Sequence, residues 1–306
     1  MLSQTREDVT FTSGGERIAA WWYPGGTGRR SCVVMAHGFS ATKRCGLAPY
    51  AERFAAQGHH VLVIDYRHFG DSGGQPRQLL DPRRQVEDLL AATRHARARE
   101  DVDPDRVALW GTSFGGGIAL VAAVRDGSVA AVVSQCPALD GWTALIRALT
   151  QPGQSVGNAL RMLGLVAADL VAAALGREPV MVPSVGPPGS VAVMTAADAE
   201  AGFRRIAGPD WQNAVCARVA LAVLRYRPVR LADRVPGPWL IQICQRDTVA
   251  PISSAERAAR RAGSRATVRH YDTGHFAVYV DEDFERSVSD QATFLNQHLG
   301  SNEQRG

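Results

Sequence analysis

The chain has 306 residues, 45% apolar and 21% charged, enough for one sizeable core with an insertion. Its formal charge of +4 comes from arginines set between acids, as in Arg83 to Glu87 and Glu256 to Arg261; these read as solvated helix faces, and without a motif or a basic stripe they argue against a nucleic-acid partner. No window of about eighteen uninterrupted apolar residues is present and Met1 to Val9 is polar, so neither a membrane span nor a signal core is expected, and a cytoplasmic location is.

Two strands open the chain, Val9 to Thr12 and Arg17 to Tyr23, joined by the hairpin turn Ser13-Gly14-Gly15. After Pro24-Gly25-Gly26, short apolar runs alternate with helical periodicity. Cys32 to Ala36 precedes the helix Leu47 to Gln57, and Val61 to Ile64 precedes the helix Arg83 to Arg99, which Asp81-Pro82 starts well. Val107 to Trp110 then precedes Ile118 to Val124, and Ala130 to Ser134 closes the series. Such alternation demands right-handed crossovers and a parallel sheet covered on both faces.

The rhythm breaks after Pro137. From about Leu139 to about Pro228 the pattern is helical, at Trp142 to Leu149, Val156 to Leu175 and Trp211 to Tyr226, around a Gly- and Pro-rich stretch. Between Trp142 and Leu175 the charges are Arg147, Arg161 and Asp169 alone, so these helices must cover their apolar faces with something. The α/β pattern then returns: strand Trp239 to Cys244, helix Ser253 to Arg261, strand Thr267 to Tyr271, helix Phe284 to His298. The expected division is a core over 1–138 and 229–299, a helical cap over 139–228, and a disordered tail over 300–306.

Chemistry concentrates where strands end. Gly111-Thr112-Ser113-Phe114-Gly115 lies between a strand and a helix, the arrangement that pushes a serine hydroxyl out of a strained turn. A serine needs a base, and the base needs an acid to hold its tautomer. His275, in Thr273-Gly274-His275-Phe276, and Asp247, in Gln245-Arg246-Asp247-Thr248, each follow a strand on the edge where open α/β sheets bind ligands. Asp140 and Asp272 are weaker candidates for the acid, Asp272 standing too near His275 along the chain. The developing oxyanion needs two donors: the N–H of Phe114, after the serine, and the N–H of Phe39 in His37-Gly38-Phe39. His37 itself reads as a residue that shapes this loop.

These motifs, together with Asp65-Tyr66-Arg67-His68-Phe69-Gly70-Asp71-Ser72-Gly73-Gly74, make the chain resemble an α/β-hydrolase-fold serine hydrolase over Val9 to Leu299. More narrowly, Asp81 to Asp88 and Val102 to Gly111 are similar to a subgroup of bacterial hydrolases and fungal polyketide-transferring enzymes. The resemblance implies a mostly parallel eight-stranded sheet, helices on both faces and an inserted cap. It also implies cofactor-free cleavage of a carboxylic ester, thioester or lactone through an acyl-enzyme on Ser113, with acyl transfer to an alcohol or amine as the alternative and a non-catalytic ligand-binding module as the third reading.

Asp65, Arg67 and Asp71 read as loop-holding residues. No histidine pair shares a carboxylate at metal-site spacing, and Cys32, Cys45, Cys136, Cys216 and Cys244 lack C-x-x-C spacing, so the cysteines read as reduced thiols and no metal is expected. Lys43 is the only lysine. An apolar acyl group would meet Phe39, Trp142, Leu145, Met162, Trp211 and Phe276. The expected partner is a small molecule, with homodimerisation left open.

Overall fold

Two positive-φ glycines, Gly14 (55°) and Gly15 (83°), turn the chain between β1 (Glu7–Ser13) and β2 (Glu16–Tyr23), which pair antiparallel with Ser13 opposite Glu16. In the computed structural model, which describes residues 6–300, the chain continues through β3 (Arg30–Ala36), α1 (Ala48–Ala56), β4 (His60–Ile64), α2 (Pro82–Arg97), β5 (Val102–Thr112), α3 (Phe114–Asp126) and β6 (Ala131–Gln135). It then leaves the sheet for α4 (Gly141–Thr150), α5 (Val156–Ala174), β7 (Met181–Val182), α6 (Ala199–Ile206), β8 (Val215–Cys216) and α7 (Val219–Arg225). It returns through β9 (Trp239–Cys244), α8 (Ile252–Ala262), β10 (Ala266–Tyr271) and α9 (Asp281–Leu299).

The eight-stranded sheet has the order β1-β2-β4-β3-β5-β6-β9-β10. From β4 to β10 every neighbour runs parallel, and β2 joins β4 antiparallel. A parallel sheet must be covered on both faces. One face packs Val34, Leu109 and Ile241 against Leu89 of α2, Ile118 of α3 and Ala258 of α8. The other packs Val33, Trp110 and Leu240 against Phe54 of α1 and Leu295 of α9.

The expected elements outside the excursion occur within a few residues of their bounds. Inside it one reading needs correction. The apolar text from Trp211 to Tyr226 is a helix only over Val219–Arg225. Its first half is held extended by long-range bonds: Asn213 exchanges two hydrogen bonds of 2.9 Å with the Val185 backbone, and Cys216 N–H donates to Gln78 O at 3.1 Å. Tertiary pairing overrides local pattern there. The helix Ala199–Ile206, eight residues long, was not expected at all.

The expected helix at Val156 to Leu175 is α5. It is long and apolar enough to cross a membrane by length and composition only, with a mean hydropathy of 1.5 and 11% of its apolar stretch buried. Asn158, Arg161 and Asp169 interrupt its apolar run. Asp169 anchors the helix to the rest of the protein. It accepts from Arg218 Nε at 2.7 Å and from the N–H groups of Val180 and Arg218. The expected tail from 300 onward lies outside the described residues beyond Gly300.

Candidate active site

Ser113 stands between β5 and α3 with φ 54° and ψ −121°, a backbone conformation that an L-residue adopts only under constraint. Three hydrogen bonds impose it. Ser113 N–H donates to Gln135 O at 2.8 Å, while Ser113 O accepts from Gly116 N–H and Ala138 N–H, each at 3.0 Å. Close packing explains the glycine after it: a Cβ at Gly115 would lie 2.3 Å from His37 O. Gly38 likewise lets its loop approach, since a Cβ there would stand 3.2 Å from Ser113 Cβ.

The loops that follow β9 and β10 bring Asp247 and His275 to the same point. His275 Nε2 is 3.0 Å from Ser113 Oγ, and His275 Nδ1 is 2.6 Å from Asp247 Oδ2. Asp247 uses its other oxygen to accept from Val249 N–H at 2.8 Å and Ala250 N–H at 2.7 Å. When the ring is neutral, this arrangement has Nδ1 donating to the carboxylate and leaves Nε2 to accept from the serine hydroxyl. Burial by itself disfavours the charged ring, but the Asp247 carboxylate, with the Cys136 sulfur beside it, outweighs it and holds the His275 pKa well above the ordinary histidine value.

The weaker acid candidates are committed elsewhere. Asp140 caps α4 through Trp142 N–H and pairs with Arg227 at 2.9 Å and Arg257 at 3.0 Å. Asp272 pairs with Arg246 on the surface. Cys136, Asp247 and His275 each offer a ligand atom, all within 4.8 Å of one another. Asp247 and His275 bond each other at 2.6 Å, with the Cys136 sulfur beside them. All five cysteines are buried and unpaired in disulfides.

Phe114 is the first residue of α3, so its N–H belongs to the helix turn that has no intrahelical acceptor. Phe39 packs its ring edge-on against the Phe114 ring, centroids 5.9 Å apart, which keeps the two backbones adjacent. His37 is a loop-shaping residue: Nδ1 bonds Gly38 O at 3.0 Å, Nε2 accepts from Tyr66 N–H at 3.4 Å, and burial pushes its pKa down.

Sequence reasoning missed how the loop after β3 is anchored. Lys43, 1% exposed, inserts its ammonium between Asp65, 2.5 Å away, and Asp71. Asp65 also accepts from Lys43 N–H at 2.7 Å and Asp71 N–H at 2.9 Å, so one buried carboxylate ties the Phe39 loop to the loop after β4. Arg67, expected to hold that second loop, does so through Asp88 at 2.6 Å and Ser13 at 2.9 Å.

The expected substrate-side residues divide. Phe276 packs against the His275 ring at 5.0 Å and against Phe203. Trp211 stacks on Phe203 at 4.5 Å and donates its indole N–H to Ser40 O. Leu145 and Met162 are half-buried, whereas Trp142 is half-exposed. A second unexpected contact joins α4 to the acid loop: Arg147 donates to Asp247 O and Thr248 O, each at 2.9 Å.

Comparison with known proteins gives the family and the fold. The chain is 42% identical over 297 residues to the quorum-quenching protein AidA of Acinetobacter baumannii, covering 96% of this chain and 95% of that one. It is 30% identical over 302 residues to the polyketide transferase af380 of Aspergillus fumigatus, covering 96% and 99%. The crystal structure of the α/β hydrolase GrgF from Penicillium superimposes with a TM-score of 0.84 at 25% identity, covering 97% and 100%. The family described as "Serine aminopeptidase, S33" matches residues 27–283, so the chain belongs to that family and is a serine hydrolase of the α/β-hydrolase fold.

Proposed function

We propose that Ser113 is the nucleophile, His275 the general base and then acid, Asp247 the group that orients and stabilises His275, and the N–H groups of Phe39 and Phe114 the oxyanion donors. The substrate class is a carboxylic ester, thioester or lactone with an apolar acyl portion. The observation that carries this reading is the continuous relay from Ser113 Oγ through His275 to Asp247, at 3.0 and 2.6 Å. Ser113 Oγ bonds the carbonyl carbon while its proton passes to His275 Nε2; the leaving oxygen or sulfur then takes that proton, and the acyl group stays on Ser113. Water activated by the same nitrogen releases the acid. These steps need no cofactor.

Residues 139–228 act in this reading as a cap on a core made of 1–138 and 229–299. Leu145, Met162, Trp211 and Trp142 of the cap, with Phe39 and Phe276 of the core, supply the apolar side. The cap's buried acids, Asp140 and Asp169, are both spent on arginines, which disfavours capture of a peptide amino terminus despite the family's description. A cytoplasmic location belongs to the same proposal, supported by five cysteines that form no disulfide, as does a homodimeric state.

The polyketide-transferase relative favours acyl transfer as the second reading. Product partition separates the two. With a p-nitrophenyl ester and graded ethanol, a hydrolase gives ester and acid in proportion to bulk acceptor concentrations, whereas enrichment of ester at least tenfold above that ratio establishes transfer. The pH profile tests the base. His275 must be neutral to accept the proton, and its pKa is raised, so the acid limb of kcat/KM is expected above the usual histidine value of about 6.5. In Asp247→Asn the limb moves to lower pH, and a limb that stays in place removes Asp247 from its assigned role.

A further inference from the structure

We propose that α5 is a self-association seam through which two copies of this chain pair. Among the described residues, every large apolar side chain that is exposed lies between Trp142 and Met181. Among the exposed apolar residues of α5, Val156, Leu160, Leu163, Ala167, Leu170 and Ala174 follow one another at steps of 4, 3, 4, 3 and 4, with Ala168, Val171 and Ala173 exposed beside them. That is the spacing of a two-helix coiled-coil seam, whose natural occupant is another helix of the same period. A surface stripe of this kind on a helix otherwise seated on its own protein is self-complementary, as a two-fold interface requires.

Area and charge support a second copy over a lipid surface. The six exposed large apolar side chains from Val156 to Leu175 present on the order of 600 Å², most of the roughly 800 Å² per partner in a stable interface. A helix lying on a bilayer carries Lys and Arg along its polar side. On α5 the side away from the seam packs on the protein through Val166 and the Asp169–Arg218 pair, and Arg161 is its one exposed ionisable residue. At Gly164, next to the seam, a Cβ would meet nothing within 4 Å, so a neighbouring backbone has room to approach.

Ile146 and Leu149 of α4 are exposed too, and Arg147 between them holds the carbonyls of Asp247 and Thr248. This inference is independent of which acyl substrate the site takes.

Sedimentation velocity in detergent-free buffer at about 20 μM is the test. The 306-residue chain, 32.9 kDa per copy, is expected to sediment as a species of twice that mass. Leu163→Glu, which adds a charge at an exposed position, is expected to raise the dimer dissociation constant at least 100-fold while ester turnover persists. Leu163→Ala, which carries no folding risk from charge, is expected to weaken the dimer less. A monomeric wild type, a dimer indifferent to both substitutions, or a wild-type monomer that co-floats with phosphatidylcholine vesicles each overturns the proposal, the last in favour of a lipid surface.

Discussion

Ser113→Ala is expected to lower kcat for a short p-nitrophenyl ester by roughly 10⁶-fold, the scale set by removal of a nucleophile from a serine–histidine–aspartate relay. Any residual rate would come from the oxyanion donors and substrate positioning. The fold should survive, because the elbow is held by backbone bonds from Gln135, Gly116 and Ala138 rather than by the serine hydroxyl. Unchanged circular dichroism and melting temperature would establish that the loss is chemical. A fluorophosphonate probe should label the wild type and leave the variant unlabelled. Continued labelling or turnover within tenfold of wild type would move the nucleophile elsewhere.

Lys43→Met is expected to have the largest effect on stability. The substitution keeps most of the side-chain volume but leaves Asp65, fully buried, without its counter-charge. Breaking a buried pair from one side costs about 3–5 kcal/mol, since the stranded carboxylate has neither water nor a cation. In a chain of this size that lowers Tm by about 10 °C. The double variant Lys43→Met with Asp65→Asn removes the stranded charge and should recover more than about 1 kcal/mol of the loss, a coupling that additive effects would not give. A single variant that melts within about 2 °C of the wild type would mean that the pair contributes little to the fold.

Much of the site was legible because its parts punctuate strand ends. The elbow, the Asp247 turn and the Gly274-His275 turn each follow a short apolar run, and a parallel sheet gathers such ends on one edge. What the periodicity of residues cannot express is which face of a helix finds a partner. The α4 and α5 text demands cover for its apolar side, and that side is where exposure remains. Long-range pairing is equally silent in local text: Trp211 to Ala217 has a helical pattern, yet Asn213 and Cys216 spend their hydrogen bonds on Val185 and Gln78. The Lys43 ion pair was hidden for a related reason, since a lysine reads as a surface residue until two acids from a distant loop surround it.

The burial of Lys43 has a chemical consequence beyond folding. Activated acyl compounds such as thioesters and strained lactones acylate unprotonated amines without any catalyst, and in most proteins the exposed lysines are the targets. Here the only side-chain amine in 306 residues lies between two carboxylates, and the arginines carry guanidinium groups that stay protonated at any physiological pH. An enzyme that handles reactive acyl groups on this scaffold presents no lysine for them to modify, so Ser113 faces no competition from side-chain amines on its own surface.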